Sequence, residues 1–221
     1  MHRSTKFIFI YLLGLLLIGA CGSVSETQKK VDTLPFYNSA EFTPEWIDKS
    51  SGEYNDIHKI APFALLSQKS EVINNDFLRG KIYVADFFFT ICPSLCPKLT
   101  GNMTLLQEEF KNDDEISLVS HTVMPWADSV AVLKSFGDKM GIDPDKWYLL
   151  TGDQKEIYQL ARKSYFAELE SGLNRSPDEF IHTENFILVD QQGRIRGIYN
   201  GTLRLEIKRI IEDIKLLKKS G

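Results

Sequence analysis

The chain has 221 residues, a formal charge of −4, and 43% hydrophobic and 25% charged residues. That composition fits one globular domain with a tail, and it excludes a disordered or collagen-like chain. If residues 1–20 are removed, Arg3 and Lys6 go with them; the 26 basic residues become 24 against 30 acidic ones, and the charge becomes −6. Such a chain offers no electrostatic footprint for nucleic acid.

Residues 1–20 read as a signal peptide. Arg3 and Lys6 make a basic start, and Phe7 to Ala20 is a mostly apolar run of 14 residues. As a helix that run reaches about 21 Å, short of the roughly 30 Å hydrocarbon core. Gly19 and Ala20 then precede Cys21 as a cleavage site requires, and Ile18-Gly19-Ala20-Cys21 resembles a bacterial lipobox. Cys21 is therefore expected to carry lipid and tether the chain to a bacterial membrane, with the domain outside the cytoplasm. A short membrane anchor with an incidental cysteine is the alternative, and it exports the chain equally. Residues 21–55, polar and mixed, read as the lipidated N-terminus and tether, and 56–221 as the domain.

Elements then alternate along the chain. Pro62 to Gln68 predicts a short strand. Lys81 to Phe89 is almost continuously apolar, as a strand buried on both faces would be. Leu99 to Phe110 predicts a helix with Met103, Leu106 and Phe110 on one stripe, and Ile116 to Val123 a second buried strand. Ser129 to Met140 has the helical period, closed by Gly141 and Pro144. Trp147 to Leu150 is a short strand. Asp153 and Glu156 resemble a capping box opening a helix to about Lys163. Residues 165–181 lack periodicity and read as a long loop. Asn185 to Asp190 and Arg194 to Tyr199 form a hairpin about Gln191-Gln192-Gly193. Thr202 can cap a last helix with Leu203, Ile207, Ile210, Ile214 and Leu217 on one face. Strands alternating with helices imply parallel pairing. With the closing hairpin and helix, the order predicts an α/β, thioredoxin-like fold: a central mixed sheet flanked by helices, with a long loop before the hairpin.

Three cysteines are present. Lipidation uses Cys21, so only Cys92 and Cys96 remain, too few for a disulfide scaffold. They follow the buried strand in Phe89-Thr90-Ile91-Cys92-Pro93-Ser94-Leu95-Cys96-Pro97. Proline suits a helix's first turn, where no backbone donor is needed. The helix can start at Pro93 or at Pro97, and both starts place the thiols at a helix N-terminus, which favours thiolate. Three residues separate the cysteines, where redox oxidoreductases usually have two. The pair can still close a disulfide, and it also suits two sulfurs on one metal.

A third ligand should be a histidine or another soft group. His2 leaves with the signal, His58 precedes the domain, and His121 sits in a buried strand and reads as a hydrogen-bonded core residue. His182 lies at the junction where a thioredoxin-like sheet usually has a proline facing the cysteine loop; residues 181–184 read Ile-His-Thr-Glu. Two thiolates and an imidazole suit Cu(I), or Cu(II) with an added oxygen, while zinc would want a fourth ligand. Export favours copper, one per chain.

These residues resemble the Sco/SenC family of copper-binding, membrane-anchored thioredoxin-fold proteins. The resemblance rests on Asp86-Phe87-Phe88-Phe89-Thr90-x-Cys92-Pro93-x-x-Cys96-Pro97, on Ser120 to Ser129, on Leu150-Thr151-Gly152, and on His182 before Phe186 to Asp190. It covers about residues 60–218. It implies Cys92, Cys96 and His182 as ligands, and delivery of copper to the binuclear centre of cytochrome c oxidase or maintenance of that centre's cysteines as thiols. The partner is then the oxidase's copper-bearing subunit or another copper or thiol protein. Three positions depart from the family pattern. Met124-Pro125-Trp126-Ala127-Asp128 stands where Asp-Pro-x-x-Asp is common, Ile181 stands where Asp often precedes the histidine, and a lipobox replaces the usual transmembrane helix.

A metallochaperone rather than an enzyme is the leading expectation. A thiol–disulfide oxidoreductase without a metal role, with Cys92 and Cys96 as its redox-active pair, is the alternative. A copper or redox sensor is the third. A peroxide reductase would need an arginine near Cys92, and that loop has none.

Overall fold

The computed structural model describes residues 33–167, 181 and 183–220. The expected signal peptide, Cys21, His182 and most of the expected long loop lie outside these residues.

Two short strands come first, β1 (Phe36–Tyr37) and β2 (Pro44–Glu45), paired antiparallel. A hairpin of β3 (Ala64–Ser67) and β4 (Val72–Asn74) leads into the single turn α1 (Asn75–Leu78), whose first turn is capped by Asn74 accepting from Phe77 N. There follow β5 (Ile82–Phe88), α2 (Leu95–Phe110), β6 (Ile116–Thr122), α3 (Val130–Met140), β7 (Trp147–Thr151) and α4 (Gln154–Gln159). The chain closes with β8 (Asn185–Val189), β9 (Ile195–Asn200) and α5 (Arg204–Ser220).

Seven of these strands form one mixed sheet in the order β4-β3-β7-β6-β5-β8-β9. β5, β6 and β7 are parallel, joined through α2 and α3. The parallel pairing expected of the alternation stops there, because β3 runs antiparallel to β7 and β8 antiparallel to β5. Neither of those contacts is made across a helical crossover between consecutive strands, so nothing forces the strands parallel.

Every residue of β5, β6 and β7 is buried. Successive side chains alternate between faces. Ile82, Val84 and Phe88 join Leu99, Met103, Leu106, Leu133, Ile210 and Ile214 in one core, under α2, α3 and α5. Tyr83, Ala85 and Phe87 join Leu65, Ile73, Val119, Leu150, Ile157 and Tyr158 in the other. Two covered faces explain why these strands read as unbroken apolar runs.

Several helix ends follow the sequence signals. Ser129 accepts from Val132 N and Asp153 from Glu156 N. Gly141 ends α3 at φ 68°, in the left-handed region that glycine enters without penalty. Two expectations are corrected, and one helix keeps its expected extent with a different last turn. Thr202 does not cap α5: its hydroxyl donates to Asn200 Oδ1 at 2.6 Å, which holds it in the preceding turn. Leu203 is 52% exposed, because it precedes the helix, whereas Ile207, Ile210, Ile214 and Leu217 are buried. The helix after Asp153 is α-helical only to Gln159 and continues as a π-helical turn over Leu160–Ser164.

The described part of the polar stretch before residue 56, residues 33–55, also joins the body. Phe36 is buried, and the Arg196 guanidinium lies 4.0 Å from its ring centroid while donating to the carbonyls of Leu34 and Pro35. Arg194 stacks on Tyr54 at 4.0 Å. Isolated aromatics in a polar run show no period, so composition alone reads them as tether. Gly201, between β9 and α5, is a close-approach glycine: a Cβ there would lie 2.6 Å from the Phe186 ring and 2.9 Å from Leu99 Cδ2.

Candidate functional site

Because β5 and β6 are parallel, the loops after them emerge at the same end of the sheet, the usual place for a site in such folds. Phe89 to Ser94 leads from β5 into α2, and Val123 to Asp128 follows β6. Asp128 ties the two together. Wholly buried, it accepts from the backbone N–H of Thr90 at 3.1 Å and from the hydroxyls of Thr90 and Thr122. In the sequence Asp128 appears only as the last residue of Met124-Pro125-Trp126-Ala127-Asp128, three residues after the proline, with nothing local to show that it bonds the other loop.

The start of α2 corrects both of the starts that the prolines suggested, falling between them. Ser94 is the N-cap and Leu95 the first helical residue, so Pro97 occupies the third position, where its missing N–H costs nothing. Ser94 makes no side-chain capping bond. The Cys92 sulfur takes that role, accepting from Cys96 N at 3.3 Å. Both cysteines are free thiols, Cys92 half-buried and Cys96 buried.

The two sulfurs face each other and are electrostatically unequal. Burial pushes the Cys92 thiol up, but the N–H groups of Cys96, Ser94 and Leu95 and the Cys96 thiol outweigh it, and its pKa falls below the usual cysteine value. Burial dominates at Cys96, pushing its thiol up to about 12; the Phe89 backbone opposes this, while Cys92 and Asp86 reinforce it. Asp86 is itself buried in β5, and burial raises its carboxyl to about 7, against the pull of the Ser120 hydroxyl that donates to it. Trp147 Nε1 in turn donates to Ser120 Oγ at 2.8 Å. This chain of donors was visible in the sequence only as an acid within an apolar strand.

The histidines divide. His58 places Nε2 at 2.7 Å from the Ser164 carbonyl and stacks on Phe166, a structural contact of the entering chain. His121 is in the core as expected, but among the described residues neither ring nitrogen makes a well-formed hydrogen bond, the backbone of Asp86 being its nearest polar contact. It lies flat against Phe87 at 5.0 Å, edged by Tyr165 and Phe63. Burial pushes its pKa down to about 4, with the Asp86 backbone acting weakly the other way. His182 lies outside the described residues. Its described neighbourhood is the start of β8, which is antiparallel to β5 and so begins at the end of the sheet where β5 runs out towards Cys92. Among the described residues no three His, Cys, Asp or Glu side chains cluster as a metal site. Cys92 and Cys96 thus supply two soft donors and need a further one.

The SCO1/SenC family model matches residues 51–219. The chain belongs to the SCO1/SenC family. A SCO1 protein homolog of Bacillus subtilis is 32% identical over 160 residues, covering 72% of this chain and 82% of its own. The solved structure of a SCO1/SenC family lipoprotein from Bacillus anthracis superposes with a TM-score of 0.63 at 31% identity, covering 73% of this chain and 95% of that one. BsSco, described as a Sco family cytochrome c oxidase assembly protein with a disulfide switch, gives a TM-score of 0.63 at 29% identity over 75% and 96%. More distant Sco structures that share the fold include copper-bound forms from yeast and Bradyrhizobium japonicum. The Sco fold therefore accounts for the thioredoxin-like topology. No helix among the described residues of this Sco chain is long and apolar enough to cross a membrane.

Proposed function

We propose that the chain is an exported, lipid-anchored copper metallochaperone that holds one copper through Cys92, Cys96 and His182 and serves the binuclear copper centre of cytochrome c oxidase. The observation that carries this is the pair of facing sulfurs at the N-terminus of α2, the Cys92 sulfur accepting from backbone N–H groups that lower its pKa. Two such sulfurs suit a soft cation. His182 is the supporting third donor, since the chain just after it enters β8 beside the end of β5. Copper-bound relatives and an oxidase-assembly relative support the cargo and the partner. Cys21, after Ile18-Gly19-Ala20, anchors the chain; a lipoprotein relative supports that reading. Mass spectrometry of membrane-extracted protein should find residue 21 as a lipidated N-terminus, and an unmodified Cys21 or a retained Met1 contradicts it.

A second reading is favoured by the inequality of the two thiols. A half-buried sulfur with a lowered pKa beside a buried one with a raised pKa is the arrangement of an attacking and a resolving cysteine. The Cys92 thiolate attacks a partner disulfide, forming a mixed disulfide and expelling one partner thiolate, which takes a proton. Cys96 then loses its proton and displaces the second partner sulfur. Two electrons leave the Cys92–Cys96 pair for the partner, and a Cys92–Cys96 disulfide remains.

The two readings separate at His182. His182→Ala should weaken Cu(II) binding by ~10- to 100-fold or more, the scale found even for groups one step removed from a metal. The Cys92–Cys96 reduction potential should move little, because the disulfide depends on its own loop. A large shift in potential with unchanged Cu(II) affinity would favour the oxidoreductase.

A further inference from the structure

We infer that the two loops around Cys92 form an apolar, uncharged docking face, with Ile91 and Trp126 as its anchors, for a protein partner that presents its own sulfurs in an uncharged setting. The inference rests on the assembly reading above and names the chemistry of the partner's surface.

Ile91 is 65% and Trp126 60% exposed, an uneconomical placement for large apolar side chains in water. They sit on different loops. Asp128 bonds Thr90, the neighbour of Ile91, and lies two residues beyond Trp126, so one buried carboxylate holds both loops at the same end of the sheet. Cys92 follows Ile91 directly, and its sulfur is the accessible member of the pair. A sulfur on another protein can reach Cys92 only by coming within bonding range, and a protein body that does so covers both side chains. Thr90–Pro97 and Met124–Ala127 contain no Asp, Glu, Lys or Arg, in a chain one-quarter of which is charged. Along the chain the next charged residues are the buried Asp86 and Asp128 and the exposed Lys98 on α2. An apolar centre with a polar margin is the anatomy of a protein–protein contact, and tryptophan is among its commonest anchors. Recognition by charge would need complementary charges beside Cys92, and the loops supply none. The face therefore selects its partner through desolvation of two side chains.

The test traps the contact. Cys96→Ser removes the resolving thiol, so the Cys92 thiolate that attacks a partner disulfide stays joined to one partner sulfur while the other leaves as thiolate. The partner probe is the soluble copper-site domain of the host's oxidase subunit with its cysteine pair oxidised. The reference probe is a small aromatic disulfide, which needs no docking face. In the Cys96→Ser background, Trp126→Ser and Ile91→Ser should each slow trapping of the oxidase domain by about tenfold or more, relative to their effect on the small disulfide. Trp126→Phe should recover most of the rate. Raising salt from low to roughly half-molar should change the trapping rate less than about threefold, whereas a charge-steered contact would slow far more. Equal trapping by Trp126→Ser, or a steep salt dependence, overturns the docking face while leaving the assembly reading intact. Failure of the parent Cys96→Ser protein to trap the oxidase domain, while it still reacts with the small disulfide, contradicts the assembly reading and the docking face with it.

Discussion

At the scale of single residues, the site depends on buried polar groups that never touch a partner. Asp128 is the clearest case. Its carboxylate satisfies three donors, and each buried donor left without an acceptor costs about 1–3 kcal/mol. Asp128→Ala should therefore lower unfolding stability by at least ~2 kcal/mol in urea titrations, and Asp128→Asn, which keeps one acceptor oxygen, should lose clearly less. An alanine variant as stable as wild type would show that the Thr90 loop is held some other way. His121 gives the pH dependence. Its folded pKa of about 4 lies below the unfolded value near 6.5, so between those values the unfolded chain binds the extra proton. Its contribution is complete above about pH 6.5 and is lost as pH falls towards 4, with a slope of at most ~1.4 kcal/mol per unit. His121→Phe should flatten that limb: going from pH 7 to 4.5, denaturation midpoints of the variant should fall less than those of wild type. Parallel midpoints would mean that the ring is protonated as easily in the core as in water.

At the scale of elements, what the sequence made legible was whatever repeats. The runs Lys81 to Phe89 and Ile116 to Val123 became β5 and β6 within a residue at either end, because burial on both faces leaves an unbroken apolar signature. The stripe of α5 was legible from Ile207 onward, and the caps at Ser129 and Asp153 were legible because their oxygens act locally. β4 and α1 were missed: three residues and one turn are too short for a period to register. Of the site, the two thiols and their helix N-terminus were legible, while Asp128 and the Asp86–Ser120–Trp147 chain were not, since long-range hydrogen bonds leave no spacing in the sequence. Gly201 shows the same limit, because only the packed α2–β8 contact reveals that it must lack a side chain. Gly201→Ala should cost about 1–3 kcal/mol through its clash with Phe186 and Leu99. Ile210→Ala, which empties the centre of the α5 face, should cost about 2–5 kcal/mol. Denaturant midpoints measure both, and a neutral Gly201→Ala would mean that Phe186 and Leu99 can give way without cost.

At the scale of the molecule, the sheet is a scaffold that brings three parts of the chain to one end. β5 delivers the cysteines, β6 delivers the loop carrying Trp126 and Asp128, and β8 starts where β5 finishes. The two apolar cores pack both faces of that scaffold, and the two thiols at its end are free. The central claim is that those thiols bind copper, and it is tested most directly by copper stoichiometry of the reduced protein. Purified under reducing conditions and titrated in the presence of a competing chelator, wild type should bind one copper per chain. The Cys92→Ser/Cys96→Ser variant should lose tight binding while staying folded, because serine is nearly isosteric with cysteine even at the core position of Cys96. One copper retained per chain by that double variant would contradict the account.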